Sequence, residues 1–506
     1  STDRLSIGVK SPLTQGIKES NAGGTVGRTM SLLGLKAVVV EECPGEDGCF
    51  VIYLGEEGGK VERADAARGL LNYELADWLH LKYGPDVSIL SVGPAGENRI
   101  LNSTVACTDA EGRPARHAAR GGPGAVLGAK GVKALVFAEP RRKRVELARP
   151  KEFMQLARGM AARLRQEKAG LKKYGSAQMV RIVNSLGGLP TRNFRSGCFE
   201  EADAISGERL AEILPARGGR MGHPCAPGCA IACSNIYYGP DGKYVTAGLE
   251  YESIAMLGAN LGIADIDAIA SIERLCDDLG IDTIETGATL GVLMDSGWLK
   301  FGDVDAVLSL LMEVRRGSLM GRLVGAGVTT VANVLGLARV PAARGQSFAA
   351  YDPRAFKGTG ATYATSPMGA DHTAGCGLPG RGGLDVAKPE GQATLSFELQ
   401  VVMAAIDSCA CLYVGPTETN LKELAALIAC RYGEAFSLDD ILALGKKALQ
   451  AELTFNEAAG LGGAKSDLPE FVREEVLPPK NLVFDVPRAD LKDVWQDLSR
   501  KIELLF

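Results

Sequence analysis

Up to about residue 140, short runs of β-branched and other apolar residues alternate with glycine, proline and aspartate. Such runs are typical of β-strands joined by turns. We predict strands at residues 36–42, 50–55, 87–93 and 132–139, and one helix between them at residues 64–84. The first part of the chain is therefore expected to form a β-rich domain.

From residue 150 onward, apolar residues recur every three or four positions, which is the spacing of one face of a helix. This spacing predicts helices at residues 151–175, 252–262, 266–280, 307–317, 396–408, 421–433 and 439–460. The segment 339–392 is rich in glycine and proline and shows no period, and loops of this length are usually functional or disordered. Its tyrosine, phenylalanine and histidine residues argue against disorder.

These patterns predict an α+β protein in which a β-rich domain precedes two mainly α-helical domains. We place the β-rich domain at residues 1–145 and the helical domains at 146–340 and 341–506. A chain of 506 residues with 46% hydrophobic residues is long enough for several cores.

The composition excludes several classes of protein. A net charge of −5 without a basic tract argues against a nucleic-acid partner. No apolar run approaches the ~20 residues of a membrane helix, and the first ten residues lack the features of a signal peptide. Twelve cysteines are too sparse here for a disulfide scaffold. We therefore expect reduced thiols and a cytoplasmic location.

Three cysteines, Cys225, Cys229 and Cys233, follow one another at intervals of four residues in GHPCAPGCAIACSN. They would lie one turn apart on a helix or converge in a loop. Thiolates suit zinc or iron–sulfur clusters, and three close cysteines with one distant cysteine are common in iron–sulfur proteins. The alternative is three small buried residues in a loop. The candidates for a distant fourth ligand are Cys376, Cys409, Cys411 and Cys430.

Two acidic turns and two glycine-rich stretches add possible binding groups. DDLGID (277–282) and IDSCAC (406–411) place aspartates at the ends of predicted helices, where helix capping is a complete structural explanation. ARGGPGAVLGAKG (119–131) is similar to a phosphate cradle, although it lacks the P-loop pattern. NAGG (21–24) is a second glycine-rich turn beside an amide side chain.

His372 lies in the irregular segment, and Glu250 and Glu252 begin a predicted helix. A histidine in a polar loop is often inert, and carboxylates in a first turn favour the helix dipole. A buried glutamate beside a histidine would instead form an acid–base pair. His223 is given no role.

Taken together and in order, these stretches resemble the aldehyde:ferredoxin oxidoreductase family of tungsten and molybdenum enzymes. The similar stretches are KSPLT…ESNAGG (10–24), SVGPAGEN (91–98), ARGGPGAVLGAKGVKALV (119–136), KYGSA (173–177), the three cysteines, EYESIAMLGANLGI (250–263), LCDDLGIDTIETG (275–287), YDPRAFKGTGATYATSPMGADH (351–372) and IDSCAC (406–411). The resemblance covers nearly the whole chain. It implies a tungsten or molybdenum ion held by two pterins, with a [4Fe–4S] cluster nearby.

The resemblance also implies a role for individual residues. The implied cluster ligands are Cys225, Cys229, Cys233 and Cys411. One pterin would be held by Asp277, Ile281 and Asp282, and the other by Asp407. Asn21 and the backbone carbonyl near His117 would bind a Mg²⁺ ion between the pterin phosphates, with Arg116 beside a phosphate and Arg120 in the glycine-rich cradle. Glu252 and His372 would be the acid–base residues beside the metal.

Several departures from the family pattern suggest a divergent branch. The family's stretch before KSPLT, which includes part of the pterin platform and a basic phosphate contact, has no counterpart, so the platform domain is expected to be incomplete. A truncation or a separate chain would explain this. The cysteine spacing is C-x3-C-x3-C, and IDSCAC is one residue short, which leaves Cys409 as an alternative fourth ligand. Ser271 and Arg274 replace the metal-binding residues that bridge subunits in some members.

The implied function is oxidation of a small aldehyde to a carboxylic acid, with electrons passed through the cluster to a ferredoxin or another iron–sulfur carrier subunit. Two alternatives differ from it. One is a bis-pterin subunit of a larger complex that reduces another substrate, such as an aromatic thioester. The other is a cofactor-poor electron-transfer or partner subunit. The sequence does not distinguish tungsten from molybdenum.

Overall fold

A computed structural model describes residues 4–44, 47–141, 145–462 and 466–506. Its first 140 residues contain eight strands within the described part: β1 (Leu5–Lys10), β2 (Ile17–Ala22), β3 (Phe50–Gly55), β4 (Gly58–Arg63), β5 (Ser88–Ser91), β6 (Val105–Cys107), β7 (Arg116–Ala118) and β8 (Val132–Phe137). Four helices lie among them: α1 (Val26–Leu32), α2 (Asn72–Tyr83), α3 (Pro94–Glu97) and α4 (Pro123–Ala129).

Six of these strands form one sheet in the order β4-β3-β8-β5-β6-β7, while β1 and β2 form a separate antiparallel hairpin. The β3–β8 pair is parallel and the other pairs of the large sheet are antiparallel. Alternate residues of β8 enter different cores: Ala134 and Val136 pack under α2, whereas Leu135 and Phe137 pack with Val26 of α1. Successive side chains of β8 thus enter the cores on opposite faces of the sheet, and the sheet is covered on both faces.

The remainder is mainly helical. Its helices are α5 (Pro150–Glu167), α6 (Ala169–Tyr174), α7 (Met179–Leu186), α8 (Gly207–Arg217), α9 (Tyr251–Leu257), α10 (Ile266–Leu279), α11 (Thr283–Asp295), α12 (Val304–Arg316), α13 (Leu319–Gly325), α14 (Val328–Leu335), α15 (Lys357–Thr365), α16 (Gln392–Asp407), α17 (Glu418–Tyr432), α18 (Leu438–Ala458), α19 (Glu470–Glu474) and α20 (Arg488–Lys492). Small antiparallel sheets are formed by β9 (Arg220–His223), β10 (Ser234–Tyr238) and β11 (Tyr244–Ala247), and by β12 (Ala342–Ala343) and β13 (Gln346–Ser347).

The predicted fold class, a β-rich region followed by mainly helical ones, is confirmed. The three domain boundaries stay a prediction. Two local expectations are wrong: residues 36–42 form no strand, and the segment expected to be irregular contains α15. The predicted helix at 151–175 is divided into α5 and α6.

The turn between α10 and α11 connects the helical part to the β-rich part. Asp265 caps α10 through the N–H groups of Asp267 and Ala268, and α10 ends at Gly280, which has a φ of +74°. The next residues pair with the segment after α3, since Thr104 N–H donates to Gly280 O at 2.8 Å and Asp282 N–H donates to Asn102 O at 3.0 Å. The DDLGID turn is thereby held against the sheet.

No single helix of the described residues is both long and apolar enough to cross a membrane. One bent pair, Tyr251–Leu261 with Ile266–Leu279, satisfies length and composition together, and many of its residues lie in the protein core.

Candidate functional site

The three clustered cysteines lie in the loop between β9 and β10, not on a helix. Cys411, which follows α16, lies beside them: the Cys233 thiol is in electrostatic contact with both Cys411 and Cys225. Burial is the main cause of the raised pKa values of the Cys233 and Cys411 thiols. Cys229 has a lowered pKa, because Cys225 and backbone N–H groups donate hydrogen bonds to its sulfur. The four thiols thus form one mutually interacting group.

Cys409 lies outside this group. Its side chain is exposed, and its thiol donates a hydrogen bond to Ala405 O at 3.2 Å. Its position favours Cys411 over Cys409 as a partner of the three loop cysteines.

Two arginines lie next to the cysteines, of which Arg4 is half-buried and Arg116 is buried. Arg4 donates a hydrogen bond to the Asn21 side chain. Burial opposes its charge, but Cys411, Cys225 and Asp407 raise its pKa. Arg116 donates to Ser234 Oγ at 2.8 Å, whereas its Nε and one Nη have no hydrogen-bond partner among the described residues. Both guanidinium groups can therefore receive an anionic ligand.

Asp277 and His117 meet where the α10–α11 turn contacts β7. His117 Nδ1 lies 2.7 Å from Thr104 Oγ1, and His117 Nε2 lies 3.0 Å from Asp277 Oδ1 without hydrogen-bond alignment. Oδ2 of Asp277 is buried without a partner in the described structure. The pair thus presents a carboxylate oxygen and an imidazole nitrogen that are available to a polar group.

Asp282 and Arg120 form the next part of the site. Asp282 Oδ1 accepts from Ile284 N–H at 2.9 Å as the N-cap of α11, and its Oδ2 lies 3.3 Å from Arg120 Nε. Arg120 also donates to the backbone oxygens of Ala370 and Ser347, both at 2.8 Å. Ile281 is buried between these residues and the β-rich part, where it bridges to Ser103.

Asp407 is the last residue of α16 and faces a cavity of about 830 Å³ that Arg4 and Asn21 also line. Burial and the nearby Glu19 carboxylate raise the pKa of Asp407, while Arg4 and Lys18 oppose the shift. Its Oδ1 has no hydrogen-bond partner in the described part of the chain. Asp407 therefore resembles Asp277, since each offers an unpaired buried carboxylate oxygen.

Glu252 and His372 form a close pair, although they are far apart in the sequence. His372 Nε2 lies 3.3 Å from Glu252 Oε1, and Glu252 Oε2 accepts from Ala350 N–H at 2.7 Å. Burial raises the pKa of Glu252, and His372 and the Ala350 N–H partly offset this effect. Glu252 Oε1 and His372 Nδ1 lack hydrogen-bond partners among the described residues. One carboxylate oxygen is thus hydrogen-bonded, and the other faces His372 without a hydrogen bond.

Asp371 and Lys18 form a buried ion pair directly behind His372. Lys18 Nζ lies 2.7 Å from Asp371 Oδ2, and both side chains are at most 2% exposed. Burial opposes ionisation of Asp371, but Lys18 and Arg120 lower its pKa. The pair fixes the His372 loop to strand β2.

The cysteines of the thiol group, Asp407 and the residues around His372 belong to one network of electrostatic interactions. Asp407 is in electrostatic contact with Arg4 beside the cysteines and with Lys18 and Asp371 beside His372. Arg120 Nε lies 3.3 Å from Asp282 Oδ2, and the charge of Glu252 also acts on the guanidinium electrostatically.

Sequence reasoning missed Arg4, Lys18 and Asp371. Arg4 provides a half-buried basic side chain before the KSPLT motif, where none was expected. Asp371 precedes His372 in ADH, a signal that was available, whereas nothing local distinguishes Arg4 or Lys18 from surface residues.

The residues present fit a large polar, anionic group. Buried and unpaired atoms of both signs face the network, namely Arg116 Nε, Asp277 Oδ2, Asp407 Oδ1, Glu252 Oε1 and His372 Nδ1. The NAGG turn is closely packed on the cysteine loop, because a Cβ added to Gly23 would lie 3.0 Å from Cys225 Sγ. Unpaired buried polar atoms are costly, so a ligand that pairs with them would stabilise the site.

Comparison with protein families gives two matches. The model described as aldehyde ferredoxin oxidoreductase, N-terminal domain, matches residues 1–139. The model described as aldehyde ferredoxin oxidoreductase, domains 2 and 3, matches residues 155–495.

Individual relatives agree with this. The chain is 32% identical to the tungsten-containing aldehyde ferredoxin oxidoreductase of Pyrococcus horikoshii, with 94% of this chain and 80% of the relative covered. The enzyme of the same name from Thermococcus kodakarensis is 31% identical with the same coverage. The aliphatic sulfonate oxidoreductase WOR-like subunit of Pyrococcus furiosus is 26% identical, covering 74% of this chain and 65% of that protein.

Among solved structures, the active-site complex BamBC of benzoyl-coenzyme A reductase with 1,5-dienoyl-CoA has a similar fold. The TM-score is 0.76 at 15% identity, with 97% of this chain and 82% of that chain covered. At this identity the likeness concerns the fold alone.

Proposed function

The chain belongs to the aldehyde ferredoxin oxidoreductase family and is an oxidoreductase of that kind, and on this basis we propose that it oxidises an aldehyde to a carboxylic acid. In this reaction the aldehyde takes up one water, and two electrons and two protons leave. We propose a ferredoxin or a similar iron–sulfur carrier as the electron acceptor.

The cofactor consistent with the relatives is a tungsten pterin, and molybdenum in the same position is the alternative. Asp277, Ile281 and Asp282 would hold one pterin and Asp407 the other. Arg116, Arg120, Arg4, Asn21 and the backbone near His117 would hold the phosphates and a Mg²⁺ ion, since these groups need cations and N–H donors. Cys225, Cys229, Cys233 and Cys411 would hold a [4Fe–4S] cluster.

When bound, the metal–pterin group supplies two-electron redox chemistry and the cluster passes the electrons on one at a time. The protein's own contribution is positioning and proton transfer. Glu252 Oε1 is free to accept a proton from water, because Oε2 is held by Ala350 N–H. A raised pKa brings a carboxylate closer to the operating pH of a general base.

His372 is placed to orient the substrate. Its Nε2 faces Glu252, and its Nδ1 lies 3.7 Å from Asp371 Oδ1 without a hydrogen bond, so one ring nitrogen would donate to a carbonyl oxygen. Preorganised donors at a developing oxyanion stabilise the transition state. Asp371, held by Lys18, favours a fixed orientation of this loop.

One observation supports the proposal: the half-buried Glu252–His372 pair is linked by electrostatic interactions through Arg120, Asp371 and Asp407 to the group of four thiols. Oxidation of a carbonyl compound requires a pair of residues for acid–base chemistry and ligands for a cluster that passes electrons on one at a time. Both are present in this network.

Metal analysis and turnover assays of anaerobically purified protein test the proposal together. About four irons and about one tungsten or molybdenum per chain would support it, whereas iron alone would indicate an electron-transfer subunit. Aldehydes and aromatic thioesters should then be compared as substrates with viologen dyes as redox partners. Dye reduction by aldehydes supports the proposal, and activity with the thioester alone would contradict it.

A further inference from the structure

Only some of the four proposed cluster ligands lie near the protein surface. Cys233 and Cys411 are buried, whereas Cys225 and Cys229 are half-buried and Gly228 is exposed. The loop tip Pro227–Cys229 therefore gives an external partner its shortest route to the four thiols.

The short helix α6 lies between the two cysteine-bearing segments. At its beginning, Lys168 Nζ is 3.3 Å from the Cβ position of Gly415, four residues after Cys411. Near its end, Lys172 contacts Gly222, and the Cβ position of Gly175 is 3.1 Å from Cys233 O. Residues 168–175 thus border both sides of the thiol group.

This border is positively charged. Lys172 and Lys173 are exposed, and Lys168 is half-buried. None of the three forms an ion pair with a carboxylate of the described residues, although Lys173 lies over the ring of Tyr174. The nearby Glu111 is already paired with Arg113 at 3.0 Å and Arg220 at 3.4 Å. The lysine charges are therefore left for a partner.

An exposed aromatic side chain lies at the same place. Tyr413 is 41% exposed, follows Cys411 by two residues, and donates its backbone N–H toward the Cys411 thiol. Tyrosine at the centre of a small interface is a frequent binding determinant.

We propose that the α6 surface, defined as Lys168, Lys172, Lys173, Gly228 and Tyr413, docks the electron carrier, and that this carrier is a small acidic iron–sulfur protein. The proposal rests on the proposed function and adds the place and the charge of the partner. The chain carries a net charge of −5, so a cluster of unpaired lysines next to the thiols is opposite to the overall charge. Electrostatic complementarity of this kind raises association rates of transient complexes.

The test is the affinity of the iron–sulfur-loaded protein for a small acidic [4Fe–4S] ferredoxin, measured by calorimetry at low and high salt. The test variant is Lys172→Glu/Lys173→Glu. The matched control is Arg315→Glu/Arg316→Glu, because that pair also occupies the last turn of a helix and is exposed, but lies beside Glu97 and Gly128. Both variants therefore place two carboxylates in the last turn of a helix, and the control variant also loses the ion pair between Arg316 and Glu313.

We expect the test variant to raise Kd by roughly tenfold or more at low salt and to lose most of the salt dependence. The control should bind like the unchanged protein. Equal weakening in both variants, or unchanged binding in the test variant, would overturn the proposal. Aldehyde-dependent dye reduction by the unchanged protein is measured in parallel. If that activity is absent while lysine-dependent binding persists, the proposed function fails and the docking surface stands.

Discussion

Glu252 accepts a hydrogen bond at one carboxylate oxygen and faces His372 with the other, and its side chain is half-buried. Glu252→Gln should keep the bond from Ala350 N–H and lose the base, so we expect aldehyde turnover to fall by about 10²–10⁴-fold with metal content unchanged. Glu398→Gln is the matched control, because Glu398 is buried and also accepts N–H bonds, from residues 503–505. Full activity of Glu252→Gln would exclude the residue from the mechanism.

The pH dependence of turnover follows from the same side chain. Burial raises the pKa of Glu252 above the ordinary 4.5, and the proposed base acts only when deprotonated. We expect kcat/KM to decrease by about tenfold per pH unit as the pH falls below this raised pKa. The acid limb should therefore lie above pH 4.5 and should be absent from the residual activity of Glu252→Gln. A profile that is flat down to pH 4.5 would contradict this assignment.

We predict opposite effects for substitution of Cys411 and of Cys409, although the two are only two residues apart. Cys411→Ser should lower the iron content and change the EPR signal of the reduced cluster, since it removes a proposed ligand. Cys409→Ser should leave both unchanged, because Cys409 is exposed and bonds to its own helix. The reverse result would assign the fourth ligand to Cys409.

Individual site residues could be predicted from the sequence where the residue type itself indicates the chemistry. Clustered cysteines, DDLGID and the His372 loop could be found from the chain alone. Arg4 and Lys18 could not, because a single basic residue in a strand-like stretch gives no indication that folding will bring it near Cys411 or bury it against Asp371.

The contact between the loop after β5 and the turn after α10 determines where Asp277 and Asp282 are held. A Cβ added to Gly93 would lie 2.3 Å from Leu279 O, which is a backbone atom that cannot move alone. We expect Gly93→Ala to lower the free energy of unfolding by about 1–3 kcal/mol, through overpacking, and to reduce the retained tungsten or molybdenum.

Gly159→Ala is the control for that substitution. Gly159 is an exposed glycine within α5, and its added Cβ would meet nothing within 4 Å. It should raise the free energy of unfolding by about 0.5–1 kcal/mol, as alanine does in helices. Denaturant unfolding measures both effects, and destabilisation by both substitutions alike would contradict the account.

Helices and strands were predictable where the pattern that forms them is complete within a short stretch of the sequence. Helices α10, α12, α17 and α18 follow the predicted pattern and begin at side-chain caps, whereas α16 is buried nearly all round and begins without a side-chain cap. The strand expected at residues 36–42 does not form: Val38 and Val40 pack against the β-rich part and Val39 is 75% exposed, but no described strand pairs with them. The alternation of buried and exposed side chains was predicted correctly. Pairing into a sheet, however, depends on a neighbouring strand that the local sequence does not specify.

At the scale of the whole molecule, the site contains several carboxyl groups whose pKa values are raised by burial. They include Glu252, Glu273 and Glu285. They also include Glu452, and for this residue the pKa is raised to about 7. The folded protein thus retains protons that the unfolded chain has lost, so the free energy of unfolding decreases as the pH rises from about 4.5 through these values. Asp371 has a lowered pKa, and its contribution is lost only at lower pH.

We therefore expect the cofactor-free protein to be more stable at about pH 5 than at pH 8, by about 1–3 kcal/mol for each strongly shifted carboxyl. Denaturant unfolding at the two pH values checks this. Greater stability at pH 8 would show that these carboxyl groups are paired in the folded protein.

The central claim is that an acid–base pair and a four-thiol electron site act on one aldehyde. It is tested most directly by adding an aldehyde to the oxidised, metal-loaded protein under anaerobic conditions and recording the EPR spectrum. The account predicts the signal of a reduced iron–sulfur cluster on addition of aldehyde, and its loss in Glu252→Gln, which dithionite should still reduce. A cluster that dithionite reduces but no aldehyde reduces in the unchanged protein would contradict the account.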